Sequence, residues 1–222
     1  MADVRLSKTL SYILRHGAAK MNLNILQGGF IYVDELLRLP QLSRYTIDDI
    51  TRVVDTNDKK RYFMEPDSET GRLKIRANQG HTMQVADLEL TRITSAADFP
   101  VVLHGTYIKN WQSIKKQGLS KMKRNHVHFA CGEPDDAKVT SGMRKSCDLL
   151  IYIDLEKALA DNLEFYISAN NVILSSGNRD GVIEPKYFKR VMHRDRQSGG
   201  LHSEKQKTNS SIMYWQQHGK LC

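Results

Sequence analysis

Leu6, Leu10, Ile13 and Leu14 recur at helical spacing, and Gly17 stands where a helix would end. The chain therefore opens with a predicted helix closing on Leu14-Arg15-His16-Gly17, with Gly17 as its C-cap. Gly28-Gly29 interrupts the pattern, Phe30 to Val33 reads as extended, and Asp34 is placed to cap a short helix through Leu37. Thr46 followed three positions later by Asp49 has the form of a capping box. It opens a helix with Ile47, Ile50, Val53 and Val54 on its apolar face. Arg61 to Met64 and Arg72 to Arg76 alternate at period two around Asp67-Ser68-Glu69-Thr70-Gly71, which predicts a hairpin.

Helix, short strand, two helices and a hairpin are the element order of a winged helix-turn-helix, a fold that often meets nucleic acid but does not by itself decide function. Beyond residue 100 the pattern turns to strands. Val101-Val102-Leu103 runs into His104-Gly105-Thr106, and a helix over 109–117 stops at Gly118. Four extended segments follow, at 126–129, 149–153, 165–167 and 172–174. The whole predicts an α+β chain, with an N-terminal winged-helix lobe over 1–80, a connection over 81–100, and a second lobe over 101–196. The Ser-, Gln- and Lys-rich stretch 197–222 lacks apolar periodicity and is expected to be disordered. No Rossmann fingerprint, GKS/GKT phosphate loop or internal repeat occurs.

Composition narrows the partner more than the fold. Hydrophobic residues make up 40% of the 222 residues and charged ones 26%, so the body of the chain can build a core. The formal net charge of +8 suits a polyanionic partner, yet the Lys and Arg residues form no polybasic arm. An anion site must come from a few placed side chains. The three cysteines, Cys131, Cys147 and Cys222, form no CxxC pair, which argues for a reducing compartment and against a disulfide scaffold. No apolar run approaches the ~18 residues of a membrane span and no signal sequence is visible, so cytosol or nucleus is expected.

Four short constellations carry polar chemistry. Arg15-His16 at a helix end reads either as a basic cap on the last carbonyls or as an anion clamp beside a titratable imidazole. Arg76, in Ile75-Arg76-Ala77-Asn78-Gln79-Gly80-His81, faces away from Leu73 and Ile75; taken singly it is a solvent-facing strand arginine. Arg144, in Ser141-Gly142-Met143-Arg144, stands at the entrance of the 149–153 strand, and singly it is a solvated charge on a turn. His104-Gly105-Thr106 ends a strand and can offer a hydroxyl, an imidazole and backbone donors to a sugar or amide. His104, His126 and His128 match no zinc spacing and pair with no cysteine, so no metal is expected.

Taken together, Leu14-Arg15-His16-Gly17, Ile75 through His81, His104-Gly105-Thr106, His126-Val127-His128 and Ser141-Gly142-Met143-Arg144 occur in the order of the tRNA 2′-phosphotransferases. Leu174 before a glycine turn, then Asp180-Gly181 and Pro185-Lys186-Tyr187-Phe188, extend the resemblance, which spans about residues 5–190. Ser175-Ser176-Gly177 departs from it, since family members often carry Thr-Pro or a similar pair there. The resemblance implies a winged-helix RNA lobe and an ADP-ribosyltransferase-like split-sheet lobe that takes NAD. It implies a catalytic set of Arg15, His16, Arg76 and Arg144, and cofactor positions at His104, Gly105, Thr106, His128 and Gly142. The implied reaction moves an internal, splice-junction RNA 2′-phosphate, on tRNA above all, to NAD. It releases nicotinamide, 2′-hydroxyl RNA and ADP-ribose 1″,2″-cyclic phosphate, without metal and from a monomer. Two other readings stay open: transfer of ADP-ribose to a terminal phosphate of nucleic acid, and a catalytically silent RNA-binding protein.

Overall fold

The computed structural model describes residues 2–85, 87–134, 136, 142–144 and 146–194. Ser141 and the 197–222 stretch lie outside the described residues. The first helix, α1 (Ala2–Tyr12), buries Leu6 and Leu10 completely, and runs into a single π-helical turn, Ile13–Gly17, that buries Ile13 and Leu14. The turn closes through Ala18 N–H to Ile13 O at 3.0 Å, a spacing of five residues instead of four. Gly17 is thus not the C-cap that the sequence suggests. The next residue, Ala18, is still right-handed helical, and the left-handed stop falls at Asn22 (φ 54°). Gly17 is small because a Cβ there would meet the Tyr12 ring at 2.8 Å.

Strand β1 (Ile31–Tyr32) leads directly into α2 (Val33–Leu37), which starts one residue before Asp34. Helix α3 (Ile47–Asp55) carries the expected capping box: Asp49 N–H donates to Thr46 Oγ1 at 3.2 Å, and Thr46 N–H to Asp49 Oδ2 at 2.9 Å. The hairpin of β2 (Tyr62–Pro66) and β3 (Leu73–Ala77) completes a three-stranded antiparallel sheet in the order β1-β3-β2. Register pairs Met64 with Ile75 and Phe63 with Arg76. Because the side-chain period is two, Ile75 enters the core while Phe63 and Arg76 share the opposite face. These elements bury one hydrophobic cluster that includes Leu6, Leu10, Leu36, Ile50, Val53, Tyr62 and Ile75.

The remaining strands begin earlier than residue 101. Strand β4 (Leu90–Arg92), inside the stretch expected to be a connection, pairs with a strand far downstream. It is followed by β5 (Leu103–Thr106), α4 (Trp111–Gln117), β6 (Leu119–Ser120), β7 (Val127–Ala130) and β8 (Leu149–Ile153). Then come α5 (Leu155–Ala160), β9 (Tyr166–Ser168), β10 (Val172–Ser175), β11 (Val182–Ile183) and β12 (Phe188–His193). Seven of these strands form one antiparallel sheet ordered β12-β8-β5-β7-β10-β9-β4, and β11 pairs with β6 alone. Every residue of β8 is buried, as its unbroken apolar run requires. A second hydrophobic cluster, around Phe129, Ile151, Phe165 and Ile173, packs on this sheet.

Polar bonds tie the two clusters together next to the candidate residues. Asn170 Nδ2 donates to Lys59 O at 3.0 Å and Lys59 Nζ to Met143 O at 3.3 Å. Asn125 N–H donates to His81 O at 3.1 Å, and Asn125 Nδ2 to Met83 O at 2.9 Å. Among the described residues no helix is long and apolar enough to cross a membrane.

Candidate functional site

The π-helical turn is what aims the first pair. With Ile13 and Leu14 held in the core, Arg15 and His16 are turned toward the segment that follows β3. There Gly80, at φ +90°, lies against the Arg15 guanidinium; a Cβ on it would sit 3.4 Å from Nε. Thr82 N–H donates to Arg15 O at 3.0 Å, and Thr82 Oγ1 lies 3.0 Å from His16 Nδ1. The same hydroxyl is 3.5 Å from Arg15 O. If it donates to that carbonyl, it accepts from Nδ1–H and leaves His16 Nε2 as the basic nitrogen.

Arg76 is not the solvent-facing strand arginine of the simple reading, being only 4% exposed. Its guanidinium lies 4.8 Å from the Phe30 ring centre and 5.3 Å from that of Phe63, beside Gly28, and pairs with the Glu89 carboxylate. Between Arg15 and Arg76 stands His81, a residue to which sequence reading gave no role. It is 2% exposed, and neither ring nitrogen has a partner. Burial, then the positive charge of Arg15, pushes its pKa down to about 4. Within one motif, then, Arg76, Gly80 and His81 each touch a different part of the same site.

The second cluster supplies the other wall. Arg144 is exposed on the loop before β8. Partial burial, and after it the charge of Arg144, lowers the pKa of Arg124. Arg124 in turn depresses His16 and His128, although in both burial is the larger cause. Arg15 is pushed down to about 10, by burial first and then by charges that include Arg124. Arg15, His16, Arg124 and Arg144 therefore occupy one positive neighbourhood, which reaches Arg76 through His81. Arg15 Nε and Nη2 are buried with no partner. Among the described residues, no ion pair to a carboxylate involves Arg15, Arg124 or Arg144.

Of the five residues expected at the cofactor, His104, Gly105 and Thr106 lie on β5, His128 on the neighbouring β7, and Gly142 on the loop before β8. His104 Nδ1 lies 2.9 Å from His128 O. Gly142, at φ +104°, presses on β7, where a Cβ would come within 2.7 Å of the Ala130 backbone. Gly105 is filled in by Cys147 Sγ and Met143, which a Cβ would meet at 2.8 and 3.0 Å. Both glycines are thus required by protein packing against the loop that carries Arg144. Thr106 is buried, and its Oγ1 accepts from Asn110 Nδ2 at 3.3 Å. His128 is different: its Nε2 is buried and unpartnered, and burial together with Arg124 pushes its pKa down to about 3. It is a neutral ring with a polar atom to give.

Buried, unpartnered guanidinium donors and neutral imidazoles, with Glu89 the one carboxylate paired to an arginine of this set among the described residues, suit a highly charged anion, of which phosphate is the natural match. A family model described as "RNA 2′-phosphotransferase, Tpt1 / KptA family" matches residues 1–177. The tRNA 2′-phosphotransferase 1 of Danio rerio is 50% identical over 191 residues, 85% of this chain and 85% of the relative. That of Homo sapiens is 48% identical, over 86% of this chain and 76% of the relative. The tRNA 2′-phosphotransferase of Saccharomyces cerevisiae is 40% identical, over 78% and 79%. This chain belongs to the RNA 2′-phosphotransferase family of enzymes.

Proposed function

We propose that this chain moves an internal 2′-phosphate of RNA, on tRNA in the first instance, onto NAD, and that Arg15, His16, Arg76 and Arg144 carry the reaction. The observation that supports this most directly is the set of buried Arg15 donors left without a partner in a neighbourhood of uncompensated arginines. In this reading α1 to α3 and the three-stranded sheet act as a winged-helix RNA lobe, and the seven-stranded sheet as an ADP-ribosyltransferase-like lobe. The unpartnered Nε2 of His128 fits a nucleotide ligand, with the His104-Gly105-Thr106 strand end and Gly142 shaping the loop beside it.

NAD supplies the electrophilic ribose carbon, the nicotinamide leaving group and the hydroxyl for the second displacement. The protein's part in the first displacement is positioning, because a phosphate is already an anionic nucleophile and needs no base. Arg15, Arg76 and Arg144 grip its oxygens. In the second displacement, where the ribose hydroxyl of NAD would supply the nucleophile, the fixed guanidiniums of Arg15, Arg76 and Arg144 would stabilise negative charge growing on the phosphoryl oxygens. A proton must leave that hydroxyl and one must reach the departing RNA oxygen. His16, with its pKa lowered by burial and by Arg15, is neutral at pH 7 and can take the first at Nε2 and return the second.

The test is a single-turnover assay with NAD and an RNA carrying an internal 2′-phosphate, following nicotinamide and 2′-hydroxyl RNA separately. Wild-type protein should release both together, while His16→Ala should release nicotinamide well ahead of RNA. Equal slowing of both would remove the proton-transfer role of His16. Consumption of NAD with phosphate retained on a terminal-phosphate RNA would favour the ADP-ribosyl transfer reading, and no reaction at all the silent one.

A further inference from the structure

Arg124 belongs to no motif from which the catalytic set was assembled, yet the fold delivers it to the same place. It ends the loop Lys121-Met122-Lys123-Arg124, exposed from Met122 onward, which is tightly built. Arg124 N–H donates to Lys121 O at 3.1 Å, Met122 N–H to Ser120 Oγ at 3.0 Å, and Lys121 N–H to Gly181 O at 3.0 Å. The aliphatic stem of Lys121 lies on Gly181, where a Cβ would meet it at 2.6 Å. On the other side Asn125 is bonded to both His81 O and Met83 O, so the loop is pinned to the segment that also contacts Arg15 and His16. Arg124 is exposed as a residue, although its guanidinium is partly desolvated; that group lies near Arg15, His16, His128 and Arg144 and has no carboxylate partner among the described residues.

Holding a further exposed cation against two arginines is unfavourable unless an anion joins them. The reactive phosphate has three guanidiniums already. Lys123 lies next to Arg124 in sequence and is also exposed, so positive charge runs from the site out along the loop instead of closing over it. A compact ligand cannot follow that path, whereas a polynucleotide carries one negative charge on every diester along its length.

We propose that Arg124 binds a phosphodiester of the RNA backbone next to the nucleotide bearing the 2′-phosphate, and so sets affinity for RNA apart from the chemistry. This rests on the reading of Arg15, Arg76 and Arg144 as clamps on the reactive phosphate. The contact is charge-assisted, formed equally in ground and transition states, and lies outside the reacting atoms.

The experiment compares Arg124→Ala, Arg124→Lys and wild type, with a single-stranded RNA of about ten nucleotides containing one internal 2′-phosphate. Fluorescence anisotropy without NAD gives binding across a salt series, and turnover gives KM for RNA, KM for NAD and kcat. Arg124→Ala should weaken RNA binding and raise KM for RNA about tenfold. It should flatten the log–log salt slope by about 0.7, with the rise in KM for RNA larger than any change in kcat or in KM for NAD. Arg124→Lys, which keeps the charge, should restore the salt slope. A rise in KM for NAD instead would make Arg124 a holder of the dinucleotide and overturn the proposal. So would a fall in kcat at unchanged KM, or unchanged binding and salt slope. The clamp reading is judged separately, by whether Arg144→Ala loses turnover while its RNA salt slope is followed in the same assay.

Discussion

Replacing Glu89 by glutamine should lower stability and raise phosphate affinity, by one and the same energy. The Glu89 carboxylate sits on the Arg76 guanidinium, which in the proposed function grips a substrate oxygen, and its side chain is 74% exposed against 5% for Arg76. A pair with one partner in solvent is worth up to about 1 kcal/mol. Substrate phosphate must break it, so the free protein's gain is the complex's loss. Without the charge, melting of a chain this size should fall by about 2–4 °C. A 2′-phosphorylated RNA should bind up to about fivefold more tightly, since 1.4 kcal/mol is tenfold. The swing is cheap because the carboxylate already lies in water, while the arginine is held by Phe30 and Phe63 whether or not Glu89 is present. Calorimetric titration without NAD, beside a thermal melt, measures both. If affinity falls together with stability, Glu89 orients Arg76 instead of competing for it, and the displacement argument is wrong.

Two further outcomes follow from the site. His81 and His128 have pKa values pushed down to about 4 and about 3, so the folded state resists protons that the unfolded chain takes up near 6.5. The stability tied to them is complete above pH 6.5 and is lost as pH falls toward 4, about 3 kcal/mol for His81 alone. A His81→Gln variant should show a visibly flatter melting curve over pH 6.5 to 4, and a slope identical to wild type would mean His81 is not buried neutral. Gly142→Ala should cost about 2 kcal/mol or more, because φ +104° is strained for any side chain and the new Cβ would press on the β7 backbone at Phe129 and Ala130. Its turnover should also fall, through displacement of Arg144; a chemical denaturation midpoint unchanged from wild type would show that the loop can simply move.

Much of this protein was legible in one dimension because the signals are local. The period of Leu6, Leu10, Ile13 and Leu14, the Thr46–Asp49 box and the alternation across the 62–77 hairpin each need only a few neighbouring residues, and each produced the element it predicts. The motifs that resemble one family likewise pointed to Arg15, His16, Arg76 and Arg144, and the chain brings them to one region. Tertiary structure decided what no short window contains. A single π-helical turn, and not a cap at Gly17, aims Arg15 and His16. The sheet begins at Leu90, because a three-residue strand is made by its partner at Tyr166–Ser168 and not by its own pattern. Arg76 is buried since Phe30, Phe63 and Glu89 converge on it from three separate segments. His81 and Arg124 looked ordinary in sequence because a missing hydrogen-bond partner, or an uncompensated charge, is a property of everything packed around a group, and only the folded chain says what that is.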